Sequence, residues 1–186
     1  MSNQGKSSLA LPVGSRDHML GSKDALITLV EYGDYECPHC KAAHEVLKRV
    51  LGELGGKVLF VFRHFPISTV HPNAKTAAEA AEAAASQGRF WEMHNILFEN
   101  QDSLDIDSIK RYATTLNMNL QRFEKELLEH VHSQRVREDF MSGVRSGVNG
   151  TPTFFINGTR YWGAITVDSL TKALEGVLKT IPTRKE

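Results

Sequence analysis

Glu31-Tyr32-Gly33-Asp34-Tyr35-Glu36-Cys37-Pro38-His39-Cys40 contains both cysteines of a 186-residue chain, three positions apart. The run before it, Leu26-Ile27-Thr28-Leu29-Val30, is apolar and largely branched. Lying between Asp24 and Gly33, it reads as a buried strand. After the stretch, Ala42, Ala43, Val46, Leu47, Val50, Leu51 and Leu54 recur at helical spacing, and Gly52 or Gly55-Gly56 ends the pattern. Pro38 suits the first helical position, where its missing N–H costs nothing. Cys37 is then the N-cap, facing unpaired backbone N–H groups, and Cys40 lies one turn further in.

A Cys-x-x-Cys at a strand-to-helix junction is a dithiol able to open and close as a disulfide. An inert cysteine pair and half of a metal site are the other readings. In the redox reading Cys37 is the nucleophile that meets substrate and Cys40 the resolving thiol. The helix end cannot activate Cys37 alone. Lowering a thiol pKa by about 4 units takes roughly 5–6 kcal/mol, and a helix N-terminus supplies about 0.3–2 kcal/mol. The rest must come from hydrogen bonds to the thiolate and from His39, which is either a cationic tuning residue or a solvated loop histidine.

The whole chain narrows the function classes. Its length suits one domain, or one with an insertion. Lysine plus arginine equals aspartate plus glutamate at 22 each, so nothing points to a nucleic-acid or anionic-membrane partner. No apolar run reaches the roughly 20 residues of a membrane helix, so no membrane insertion is expected. The start, Met1 to Leu20, offers only Leu9-Ala10-Leu11-Pro12-Val13, too short for a signal-peptide core. As written the chain reads as cytoplasmic; a periplasmic protein stripped of its leader would read the same. In a reducing cytosol two cysteines are more often catalytic than structural.

Residues 1–20 read as irregular until about Arg16. Lys57-Val58-Leu59-Phe60-Val61-Phe62 is a second buried strand, running into Arg63-His64-Phe65-Pro66, so the first half is a βαβ unit with parallel strands. Helical signals follow without a strand between them. They comprise Ala74 to Ala85 stopped by Gly88, Phe90 to Phe98, a helix capped by Asp105, one carrying Leu120, Phe123, Leu127 and Leu128, and one around Val136 to Val144. No fixed period makes this a repeat array. The stripe Phe90, Trp91, Met93 and Phe98 is core or, alternatively, a substrate groove. Of eight histidines, His130 and His132 have the wrong spacing for a Cys2His2 zinc site, so no metal is expected and both read as surface residues. Val148 to Gly163 then reads as a loop, a short buried strand, an Asn157-Gly158 hairpin turn and a second short strand. Val167 to Leu178 is a closing amphipathic helix. A cis bond before Pro152 is physically plausible.

With Cys37-Pro38-His39-Cys40 in front, Arg63-His64-Phe65-Pro66 between and Gly150-Thr151-Pro152-Thr153 behind, the chain resembles the DsbA-like branch of the thioredoxin superfamily from about Asp17 to Leu178. It is similar to soluble bacterial thioredoxin-domain proteins, some of whose relatives are appended to sodium/proton antiporters. The resemblance implies an α/β thioredoxin-like fold with an all-helical insertion between the βαβ half and the C-terminal ββα half. The thioredoxin domain would take 17–66 and 147–180, and the insertion 67–146. It implies a thiol–disulfide oxidoreductase acting on protein or small thiol substrates, in which Cys37 attacks, Cys40 resolves, and Pro38 and His39 tune the pair. Thr151 and the cis-proline Pro152 would present backbone to a substrate as an added strand. Glu31 falls where DsbA has a buried acid that relays protons; the other reading is a strand-end carboxylate in solvent. Thr151 departs from DsbA, which has valine there. The expected partners are protein thiols or disulfides and a recycling partner. No cofactor is expected beyond the Cys37–Cys40 disulfide, with glutathione a candidate redox partner. Two competing functions are a glutathione-dependent transferase or isomerase on the same fold, and a peptide-binding or chaperone module without turnover.

Overall fold

The computed structural model describes residues 7–181. Five strands form one sheet: β1 (His18–Leu20), β2 (Ile27–Gly33), β3 (Val58–His64), β4 (Thr153–Ile156) and β5 (Thr159–Tyr161). Their order is β1-β3-β2-β4-β5, with β2 and β3 parallel and every other pair antiparallel. The helices are α1 (Pro38–Leu54), α2 (Ala74–Ala85), α3 (Phe90–Glu99), α4 (Ile106–Thr115), α5 (Leu120–Leu128), α6 (Ser133–Arg145) and α7 (Val167–Thr180). Helices α2 to α6 follow β3 and precede β4. The result is the α/β architecture expected from the sequence. Among the described residues no helix is long and apolar enough to cross a membrane.

Alternation along the strands divides the core in two. Ile27, Leu29, Val58, Phe60, Phe62, Phe154 and Ile156 face a large cluster shared with α1, α7 and the helices α2 to α5. Val30, Tyr32, Leu59, Val61 and Phe155 face the other side, where Leu9, Val13 and Phe140 of α6 cover them. Phe90, Met93 and Phe98 are core, and Trp91 is half-buried with Nε1 donating to the Met19 carbonyl at 3.1 Å.

Strand β1 was not foreseen. It spans three residues and pairs His18 with Phe62, Met19 with Val61 and Leu20 with Phe60. So short a strand has no alternation to read, and docking on the free edge of β3 creates it. Helix α1 runs through Gly52 and ends at Gly55, whose φ of 55° suits a residue without Cβ. The Asn157-Gly158 turn has φ of 45° and 78°, as a tight hairpin demands.

Buried charge was also invisible in the sequence. Arg63 is 0% exposed, and all five of its N–H donors are used by Asp17 Oδ1 and Oδ2, Tyr32 Oη and the carbonyls of Leu11 and Pro12. In the alanine-rich α2, Glu79 and Glu82 are buried. His130 Nδ1 lies 2.8 Å from Glu79 Oε2 and His132 Nε2 lies 2.7 Å from Glu126 Oε2. His130 is exposed as expected, whereas His132 is mostly covered.

Candidate active site

Strand β2 ends at Gly33, and the chain turns over Asp34-Tyr35-Glu36 into α1. Cys37 is the N-cap, with extended backbone (φ −77°, ψ 120°), and Pro38 opens the helix. Several hydrogen bonds fix this turn. Asp34 Oδ1 accepts from Glu36 N at 2.8 Å, and Asp34 Oδ2 accepts from Ile67 N at 2.8 Å and sits 2.8 Å from His71 Nδ1. Gln101 Nε2 donates to the carbonyls of Tyr35 and Cys37 at 2.8 and 2.9 Å. Asp34 lay inside the diagnostic stretch without being singled out. Gln101 and His71 left no signal, because their partners are remote in sequence.

Opposite the dithiol stands the loop before β4, where the Thr151–Pro152 bond is cis. The Cys37 thiol donates to the Thr151 carbonyl at 3.4 Å, and Asp34 N donates to Cys40 Sγ at 3.4 Å. Both cysteines are free thiols, 5% and 0% exposed. Pro38 and His39 are exposed on the first turn.

The two sulfurs have opposite electrostatics. A hydrogen bond from the Cys40 thiol lowers Cys37 to about 5, against burial; Thr151 and the backbone N–H groups of Cys40 and His39 add to the lowering. Thr151 Oγ1 is buried without a partner, so its hydroxyl is free to donate to a Cys37 thiolate. Cys40 is pushed well above the usual thiol range, first by burial, then by its bond to Cys37 and by the charges of Glu31 and Cys37. The contribution of His39 to this lowering comes from its backbone N–H.

Glu31 is 1% exposed, which excludes the solvent-facing alternative. It occupies the core-facing register that Ile27 and Leu29 fill with hydrocarbon, paired across the sheet with Phe62 on one side and Phe154 on the other. Its Oε1 has no hydrogen-bond partner. Burial, then the Cys37 charge, raises its pKa to about 8, so at neutral pH it carries a proton.

Among the described residues, one further group of side chains could present three ligand atoms to a cation: His18, His64 and Glu82. Both imidazole Nε2 atoms lie 2.9 Å from Glu82 Oε1. Against the upward push of burial, these bonds hold Glu82 well below the carboxylate range. Arg135 Nε stands 3.8 Å from the same oxygen, a cation where a metal would need free valence.

Comparison with known proteins places this geometry. Residues 14–176 match the family described as Thioredoxin. The chain is 40% identical over 185 residues to a Salinispora tropica protein named Na(+)/H(+) antiporter NhaA 3, covering 99% of this chain and 28% of that protein. It therefore spans little more than a quarter of that relative's length. Among solved structures, oxidised BdbD from Bacillus subtilis superposes with a TM-score of 0.79 at 23% identity, over 94% of this chain and 100% of that one. Alpha-DsbA1 from Wolbachia pipientis gives 0.79 at 23% identity, over 92% and 94%. Sequence and fold agree: the chain belongs to the thioredoxin family and has the DsbA-like form of its fold.

Proposed function

We propose that this protein is a thiol–disulfide oxidoreductase that passes a Cys37–Cys40 disulfide to thiols of polypeptide substrates. The observation that carries this reading is the unequal pair, with Cys37 lowered to about 5 and Cys40 raised beneath it. A substrate thiolate attacks Cys37 Sγ, the Cys37–Cys40 bond breaks, and Cys40 leaves with the bonding electrons. Its high proton affinity makes it a poor leaving group unless a proton is supplied. Protonated Glu31 is the nearby acid. A second substrate thiolate then attacks the substrate sulfur of the mixed disulfide, the substrate leaves oxidised, and Cys37 departs as a stabilised thiolate. The backbone beside Thr151 and Pro152 would align the substrate as an added strand during both steps.

A Cys37 pKa of about 5 lies between the values of about 7 for thioredoxin and about 3.5 for DsbA. Equilibration of the dithiol with glutathione should accordingly give a potential between roughly −270 and roughly −120 mV. Cys37→Ser should abolish exchange, while Cys40→Ser should accumulate a mixed disulfide with substrate. Failure of the two cysteines to join at any glutathione ratio would sink the reading. Full turnover by Cys40→Ser would instead favour a single-thiol, glutathione-using enzyme.

A further inference from the structure

The loop after β3, the first turns of α6 and the loop before β4 enclose a groove of about 620 Å³ that none of the dithiol chemistry uses. Its floor is apolar: Phe65 stacked on Phe140 with ring centroids 4.4 Å apart, flanked by Ile67 and Val136. Lys75 and Arg137 stand at its rim, and none of its lining residues is acidic. Across the chain cations and anions are equal, so this local excess is a departure from the average. Lys75 has a neighbouring carboxylate at 3.7 Å in Glu79, whereas exposed Arg137 has no ion pair or hydrogen bond among the described residues.

The groove also opens at the correct edge of the sheet. Strands β2 and β3 are parallel, so Cys37 and Phe65 both follow strand ends on the same side. Phe65 N donates to the Gly33 carbonyl at 2.8 Å, and Ile67 N donates to Asp34 Oδ2, three residues before Cys37. On the other wall, Asn149 is two residues before Thr151, whose carbonyl meets the Cys37 sulfur. Cys37 packs on one face of the sheet and the groove floor, Phe65 with Phe140, on the other, so a polypeptide attached to Cys37 would reach the groove by passing from the cis-proline loop over the carboxyl ends of β2 and β3.

Resting on the oxidoreductase reading, we infer that the groove docks a stretch of the substrate polypeptide rich in apolar and acidic residues, flanking the reacting cysteine. The apolar floor takes its hydrocarbon side chains, and Arg137 with Lys75 takes its carboxylates. The site thereby selects substrates by charge as well as by thiol reactivity.

The test separates docking from redox chemistry. The probe is a labelled peptide of alternating acidic and apolar residues around a serine in place of cysteine, so no disulfide can form. Two companions carry lysine for each acidic residue, or glycine for each apolar one. Fluorescence anisotropy at low salt should show the acidic–apolar peptide binding roughly tenfold tighter than either companion, with the preference over the lysine peptide collapsing near 1 M salt. The Arg137→Glu, Lys75→Glu double variant should reverse the charge preference. Lys23→Glu, which places a charge change in the exposed loop before β2 at the far end of that strand, should leave it intact. Equal binding of all three peptides, or an unchanged preference in the double variant, overturns the inference. Exchange with glutathione by the unmodified protein is read alongside. Its absence would defeat the oxidoreductase reading while the anisotropy still decides whether the groove binds.

Discussion

At the scale of single residues, activation of Cys37 is distributed among short contacts. A helix end supplies about 0.3–2 kcal/mol, too little for a fall to about 5. Hydrogen bonds to a charged acceptor contribute roughly 1.5–3 kcal/mol each, and the Cys40 thiol and the Thr151 hydroxyl are both placed to make one. Thr151→Val keeps the shape of the loop and deletes the hydroxyl. Its Cys37 titration, followed by ultraviolet thiolate absorbance, should move upward by about 1–2 pH units, since one unit is worth about 1.36 kcal/mol. The dithiol should become more reducing in step. His39→Ala should move the titration less, because the backbone N–H that reaches Cys37 survives the substitution. A larger shift in His39→Ala than in Thr151→Val would return the leading role to the imidazole.

At the scale of elements, what the sequence reveals depends on how local the cause is. Helix α1, the β2–β3 unit and the Asn157-Gly158 hairpin are specified by residues adjacent in the chain, and they could be read directly. Strand β1 exists only because β3 offers an edge, and α2 looks like a plain alanine helix until His18, His64 and His130 arrive to bury its glutamates. The candidate site divides the same way. Cys37, Pro38, Cys40 and Pro152 lie in recognisable motifs, whereas Gln101 and His71 act across more than thirty residues. Arg63 is the strongest instance. It sits in a strand that reads as hydrophobic, yet its guanidinium pins the segment from Leu11 to Asp17 onto the sheet. Removing one member of a buried pair leaves the other charge without a partner, at a cost of about 3–5 kcal/mol. Asp17→Leu should therefore lower the unfolding free energy by that amount, read as a lower urea midpoint at an unchanged m-value. The Asp17→Leu, Arg63→Met double variant should lose less than the sum of the two single changes, since both delete the same interaction. Additive losses would show that the pair is not energetically coupled.

For the whole molecule, the proposed dithiol chemistry would couple stability to redox state through protons. In the reduced protein Cys37 is an acid whose folded pKa, about 5, lies below its ordinary value of 9.0. Its contribution is therefore complete above pH 9 and is lost as pH falls through 5. Cys40 has the opposite sign. Its folded pKa is raised, so above pH 9 the unfolded chain ionises it while the folded protein does not, and stability falls. Glu31, raised to about 8 from 4.5, also costs stability as pH rises between those values. It is present in both redox states, so most of its effect cancels when they are compared. Only the reduced form carries the two thiol titrations. Urea unfolding of reduced and oxidised protein across pH should thus show a stability difference, reduced minus oxidised, that rises from pH 5 toward pH 9 and declines beyond it. Cys37→Ser, which cannot form the disulfide, should lack the rise when it is compared with the same oxidised protein. A difference that stayed flat from pH 5 to 9 would mean that the Cys37 thiolate is not stabilised by the fold. The asymmetry between the two sulfurs would then have to arise in the substrate complex.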